Sequence, residues 1–358
     1  MKLKNVLISA TALVAVGAVA ATAGSITVVS WGGAYTKSQV EAYHKPWIEM
    51  TGNQIVSEDY SGGLAEVKAQ VEAGNVSWDL IDVELSDAVR GCDEGLFEEI
   101  DPSILPDGAD GSAAEDDFLE GAINDCAVAN IVWSTIFAYD SSKTSGVDSI
   151  DDLFNVEEFP GKRGLRKSAK ANLEMALMAD GVPAAEVYAM LETDEGVDRA
   201  FAKLDTIKDH VVWWESGSQP PQLLADGEVV MTTAYNGRIF NAAVAEGKSF
   251  EVVWDGQIMD FDLWAVPMGA PNKDLAMEFI AYSTDTQRLA DQASWISYGP
   301  ARKSSGALVG LYSDGVTEMA PHMPTAGPNL TNALVNDFEY WADNSDELNE
   351  RFNAWLAK

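Results

Sequence analysis

The chain is 358 residues long, 47% hydrophobic and 22% charged, which excludes a disordered segment and a polytopic membrane protein and predicts about two domains with substantial cores. Its 57 acidic and 23 basic side chains leave a net charge of −34. A surface of that sign repels phosphate backbones and anionic headgroups, so nucleic acid is excluded as a partner. Two explanations of the acidity stay open: adaptation to a salty exterior, and a field that attracts cationic ligands.

Residues 1–23 begin with Lys2 and Lys4, run through Leu, Val, Ile and Ala, and end at Ala21-Thr22-Ala23, the pattern of a cleaved secretory signal peptide. No Cys follows that site, so a lipid anchor is not expected, and no later stretch has the apolar length of a membrane span. Next, Ile26–Trp31 reads as a strand, Gly32-Gly33 as a turn and 36–50 as a helix, followed by a strand at 54–59, a helix at 64–73 and a strand at 78–83. Such a β-α-β-α-β run builds an open parallel sheet with its ligand crevice at the strand C-termini. Cys92 and Cys126, an even pair in an exported chain, are expected to form one disulfide.

Residues 130–139 form a long strand-like stretch, read as the first crossing between domains. Helices near 172–180, 184–191 and 195–208 follow, then a strand at 229–234, a helix at 238–246 and strands at 250–254 and 258–267. Helices at 272–283, 285–294, 331–342 and 345–357 close the chain. Alternation of short strands with amphipathic helices argues α/β layers.

The residue types needed for catalysis are sparse. His44 and His210 read as helix-surface residues and His322 as a loop residue, none with ligand spacing. There is no nucleophile elbow, phosphate loop or dinucleotide fingerprint. Neither catalytic residues, a metal nor a cofactor is predicted, and a binding protein is the expectation; a secreted enzyme working through its carboxylates is the alternative, discriminated by turnover of the ligand. Aromatic residues are the stronger signal: Trp31, Trp133, Trp213, Trp214 and Trp264, with Tyr35, Tyr235 and Tyr298, fall where strands end, positions that line crevices holding alkyl chains or ammonium groups.

Asp260 and Asp262 stand two apart in a predicted strand, so both carboxylates point to one face. An ammonium would satisfy the pair; a hinge turn and a structural Arg would do so too. Arg238, in the turn after the strand 229–234, can present its fork to a ligand carboxylate or to a structural partner.

The export signal, Ser30-Trp31-Gly32-Gly33-Ala34-Tyr35 after the first strand, Trp78-Asp79-Leu80-Ile81-Asp82 on the third, Tyr235-Asn236-Gly237 and the Asp260/Asp262 strand occur in this order. Together, over essentially the whole mature chain, they resemble the periplasmic spermidine/putrescine-binding proteins of ABC importers. The resemblance implies an α/β periplasmic-binding-protein fold of two lobes, each an open mixed sheet flanked by helices, with a small-molecule ligand in the interlobe cleft. It assigns 24–138 plus 264–300 to lobe 1 and 139–263 plus 301–358 to lobe 2, and implies a monomer that a permease in the inner membrane recognises once closed. Trp31 falls on the family's first aromatic wall, Tyr235 on a Trp of the second lobe, Asp262 on an ammonium-binding Asp and Tyr298 on a tyrosine near the last crossover. Glu84 falls where polyamine binders have a small hydroxyl residue, and Tyr35 is displaced by one position.

Two departures bear on the ligand. The acidic pair of polyamine binders falls in Arg166-Lys167-Ser168-Ala169-Lys170-Ala171, and Arg238 replaces a small residue. Losing acids and gaining Arg points to a ligand with one ammonium and one anionic end, and the chain is similar to the branch that includes GABA receptors of soil and plant-associated bacteria. The expected function is delivery of a small amino-containing solute, a linear ω-amino acid such as GABA or a polyamine, to an ABC transporter. Putrescine or spermidine specificity is the alternative, since Glu84, Asp260 and Asp262 can hold two amines.

Overall fold

The computed structural model describes residues 23–358, so the predicted signal peptide, apart from Ala23, lies outside the described residues. Its strands are β1 (Ser25–Ser30), β2 (Gln54–Asp59), β3 (Leu80–Glu84), β4 (Ile123–Asn124), β5 (Ala127–Asp140), β6 (Arg163–Arg166), β7 (Val211–Trp214), β8 (Met231–Tyr235), β9 (Phe250–Ala265), β10 (Gly299–Pro300) and β11 (Leu334–Val335). They form one mixed sheet in the order β2-β1-β3-β9-β5-β8-β6-β7, with β4 and β10 added to β5 and β11 to β9. A parallel unit stands at each end, β2-β1-β3 and β8-β6-β7. The antiparallel pair β5 and β9 joins the two units. The chain is thus a mixed α/β fold with a large sheet flanked by helices, as its alternating pattern predicts.

Two large cores follow from this order. Ile26, Val28, Leu80, Ile81 and Val83 pack with Leu263, Trp264, Phe279 and Ile280 in the first; Leu165, Leu173, Leu177, Met231, Trp341 and Phe352 pack in the second. β5 contributes Ala127–Ala129 to the first core and Phe137 and Tyr139 to the second, while β9 contributes Val253 and Ile258 to the second and Leu263–Ala265 to the first. Trp133, Asp260 and Asp262 fall between these contributions, at the junction of the two units. Cys92 and Cys126 are joined by a disulfide beside the first core. Among the described residues, no helix is long and apolar enough to cross a membrane.

The structure departs from the sequence reading in several places. The strands expected at 250–254 and 258–267 are one strand, β9, whose pairing with β5 skips from Thr135↔Ile258 to Phe137↔Val253; Gly256, at φ +73°, lies in the bulge. The tail is one helix, Phe338–Leu356, because Asn344 Nδ2 and Ser345 Oγ donate back to the carbonyls of Tyr340 and Trp341 instead of ending it. Ala301 packs in the first core, and the Arg302 beside it forms a fully buried pair with Asp117 at 3.1 Å. His44 is buried rather than on a helix surface, and burial lowers its pKa to about 4.

Candidate ligand site

The ends of the strands carry the candidate residues to the junction. Trp31 follows β1, the Gly32-Gly33 turn opens the helix Gly33–Gln39 that bears Tyr35, and Glu84 ends β3. Trp133 comes from β5, Tyr235 ends β8, Arg238 sits in the helix Asn236–Phe240, and Tyr298 immediately precedes β10. Trp31, Tyr35, Glu84, Trp133, Tyr235, Arg238, Asp262 and Tyr298 line one small cavity of about 20 Å³. Asp260 is not among them. It lines a second small cavity, of about 10 Å³, that also borders Trp133, with Thr135, Arg166, Lys170 and Trp214.

Close approach makes two glycines necessary. Gly33 sits at φ +60°, and a Cβ there would lie 2.7 Å from an Arg238 terminal nitrogen. A Cβ on Gly237 would lie 2.6 Å from the Tyr298 ring. The rings are then fixed by edge contacts: Trp133 to Tyr235 at 4.9 Å and 80°, Tyr35 to Tyr298 at 5.4 Å and 72°. Tyr60, which the sequence reading passed over, packs on Trp31 at 4.9 Å and donates its hydroxyl to the Asp82 carbonyl.

The charges fall into two groups. Asp262 accepts from Trp133 Nε1 at 2.8 Å and has no cation partner among the described residues. Burial, reinforced by Asp82, Glu84 and Asp260, pushes its carboxyl well above the usual range. Across the cavity, Arg238 donates through its terminal nitrogens to the carbonyls of Gly32 at 2.8 Å and Trp31 at 2.9 Å. Its Nε and the Trp31 Nε1 are buried without an acceptor. Among the described residues Arg238 has no carboxylate salt bridge, and its hydrogen-bond partners are main-chain oxygens.

Glu84 and Asp260 belong to the second group. Lys170 Nζ lies 2.9 Å from Glu84 and 2.7 Å from Asp260, and Arg166 lies 3.1 Å from the other Glu84 oxygen. Burial alone would raise the Glu84 carboxyl, but Lys170 and then Arg166 outweigh it and bring it down to about 2. Burial disfavours the Lys170 ammonium too, and Asp260 and Glu84 more than offset that, so its pKa is raised. Arg166 and Lys170 were legible only as a basic run at 166–171; nothing in the sequence pairs that run with residue 84 or 260. Behind the cavity, Asp82 is buried among donors, Gln39 at 2.6 Å, Ser30 at 3.1 Å and Asn130 at 3.2 Å, and burial still raises it to about 7.

An aromatic cavity between two α/β units, with charged groups of both signs in its wall and no nucleophile–base pair, is the architecture of a solute receptor, and the chain belongs to the bacterial extracellular solute-binding protein family, matched over residues 42–325. This family binds small molecules for ABC transporters and is not enzymatic. In sequence, it is 48% identical over 335 residues to the gamma-aminobutyric acid-binding protein of Pseudomonas aeruginosa, covering 93% of this chain and 91% of that protein. In structure, it is similar to the PBP MotA of A. tumefaciens B6 in complex with glucopine, with TM-score 0.84, 29% identity and coverage of 93% and 99% of the two chains. It is also similar to the Atu4243 GABA receptor, with TM-score 0.78, 34% identity and coverage of 94% and 98%.

Proposed function

We propose that the protein binds a linear ω-amino acid, 4-aminobutyrate (GABA) or a close relative, in the periplasm after removal of residues 1–23, and presents it as a monomer to an ABC permease. The charge pattern of the cavity carries this reading: Asp262 is a buried carboxylate without a cation, and Arg238 Nε and Trp31 Nε1 are buried donors without an acceptor. One ammonium and one anionic group satisfy both ends, and a buried polar group left unpaired costs ~1–3 kcal/mol. Glu84 and Asp260 are already paired with Lys170 and Arg166, so neither is free to take a second ammonium. Relatives that bear GABA in their names support the same ligand.

The lobes would be 24–138 with 264–300 and 139–263 with 301–358, and they close on the ligand by a hinge in β5 and β9. Calorimetric titration of the purified mature protein tests the reading. Saturable binding of 4-aminobutyrate, with putrescine much weaker, is expected. Tight putrescine binding with no response to 4-aminobutyrate would transfer the protein to the polyamine receptors.

A further inference from the structure

Lys170 sits in a place that an external ammonium could occupy. Asp260 and Asp262 share one face of β9, two residues apart and hence roughly 7 Å along the strand, the span of a four-carbon diamine. Lys170 Nζ lies 2.7 Å from Asp260 Oδ2, 2.9 Å from Glu84 Oε2 and 3.3 Å from Ser86 Oγ. Three acceptors for three N–H donors make a complete ammonium site, filled from within the chain. Building on the ω-amino acid reading, we propose that Lys170 is a specificity-determining residue: its tethered ammonium takes the place of a diamine's second amine, so the protein accepts a single external ammonium, at Asp262, and rejects diamines.

The backbone holds Lys170 there. Ala171 has φ 70°, the only positive φ among described residues other than glycine, and such a conformation persists where the surroundings over-determine it. Asn172 Nδ2 fixes the preceding turn by donating to the carbonyls of Arg166 at 2.6 Å and Ser168 at 2.7 Å. A second external ammonium would find Glu84 and Asp260 already paired and would be repelled by both Lys170 and Arg166.

The test compares putrescine and 4-aminobutyrate by calorimetry on the wild type and on Lys170→Ala, which vacates the site without touching Asp262. The ratio of the two dissociation constants should move toward putrescine by at least about tenfold; a smaller change in a folded variant overturns the proposal. If Lys170→Ala does not fold alone, it is refolded with and without millimolar putrescine. Recovery of native circular dichroism only with putrescine supports the proposal, and recovery in neither condition counts against it. Failure of the wild type to bind 4-aminobutyrate would undo the functional reading alone, because the change in putrescine affinity between wild type and variant reads Lys170 by itself.

Discussion

Arg238 joins the two units through the carbonyls of Trp31 and Gly32, and its Nε is buried with no acceptor among the described residues. Arg238→Ala is expected to weaken 4-aminobutyrate binding by about 30-fold to several thousand-fold, the effect of losing one partner of a desolvated charge pair. Its melting temperature should fall little, because the lost bonds lie between units that each keep a core. Titration and a thermal melt check the pair of outcomes, and binding like the wild type would remove Arg238 from the site. Asp262 adds a pH dependence. Its carboxyl is raised in the free protein, and an ammonium beside it lowers the pKa, so binding releases a proton and affinity rises as pH climbs through the raised range. Calorimetry in buffers of different ionisation enthalpy detects the release; identical heats across that range would contradict it. Trp31, Tyr35, Trp133, Tyr235, Tyr298 and Asp262 were legible because strand ends and period-2 spacing locate them, whereas Trp264 and Trp213, also expected at a crevice, pack into the first core and against the second. Lys170 was not, since its partners stand 86 and 90 residues away.

Among the elements, β6 was hidden by its composition. Arg163-Gly164-Leu165-Arg166 lacks an apolar run, yet Arg163 is fully buried because its guanidinium reaches the carbonyls of Leu153, Asn155, Phe159 and Gly161 at 2.8–3.1 Å. No local pattern announces four carbonyl partners. The helix Phe338–Leu356 was legible in its apolar face, where Trp341, Leu348, Phe352 and Trp355 are buried, but its continuity depends on Asn344 and Ser345 bonding backward. The Cys92–Cys126 bridge was readable from the parity of the cysteines, and it closes a separation of 34 residues. Replacing both cysteines with serine should cost about 3–4 kcal/mol by the chain-entropy estimate. Urea unfolding measures it, and an unchanged midpoint would contradict the estimate.

At the scale of the whole molecule, the units share β5 and β9 and are bridged by side chains, among them Asn236, which donates to the Ser297 carbonyl. Arg238 reaches from the second to the first, Arg166 and Lys170 bind Glu84, and Arg90 meets Asp346. The Arg90–Asp346 pair is exposed at its Asp and contributes little; Arg238, Glu84, Arg166 and Lys170 lie in the cavity walls. The excess of acids over bases favours approach of a cationic end, while on the proposed reading the donors of Arg238 and Trp31 take the anionic one. The most direct measurement of this two-ended recognition is a calorimetric comparison of 4-aminobutyrate with butylammonium and with butyrate, each of which keeps one end of the ligand. Both fragments should bind at least about 30-fold more weakly than 4-aminobutyrate, and butylammonium binding as tightly as 4-aminobutyrate would contradict a site that reads a carboxylate.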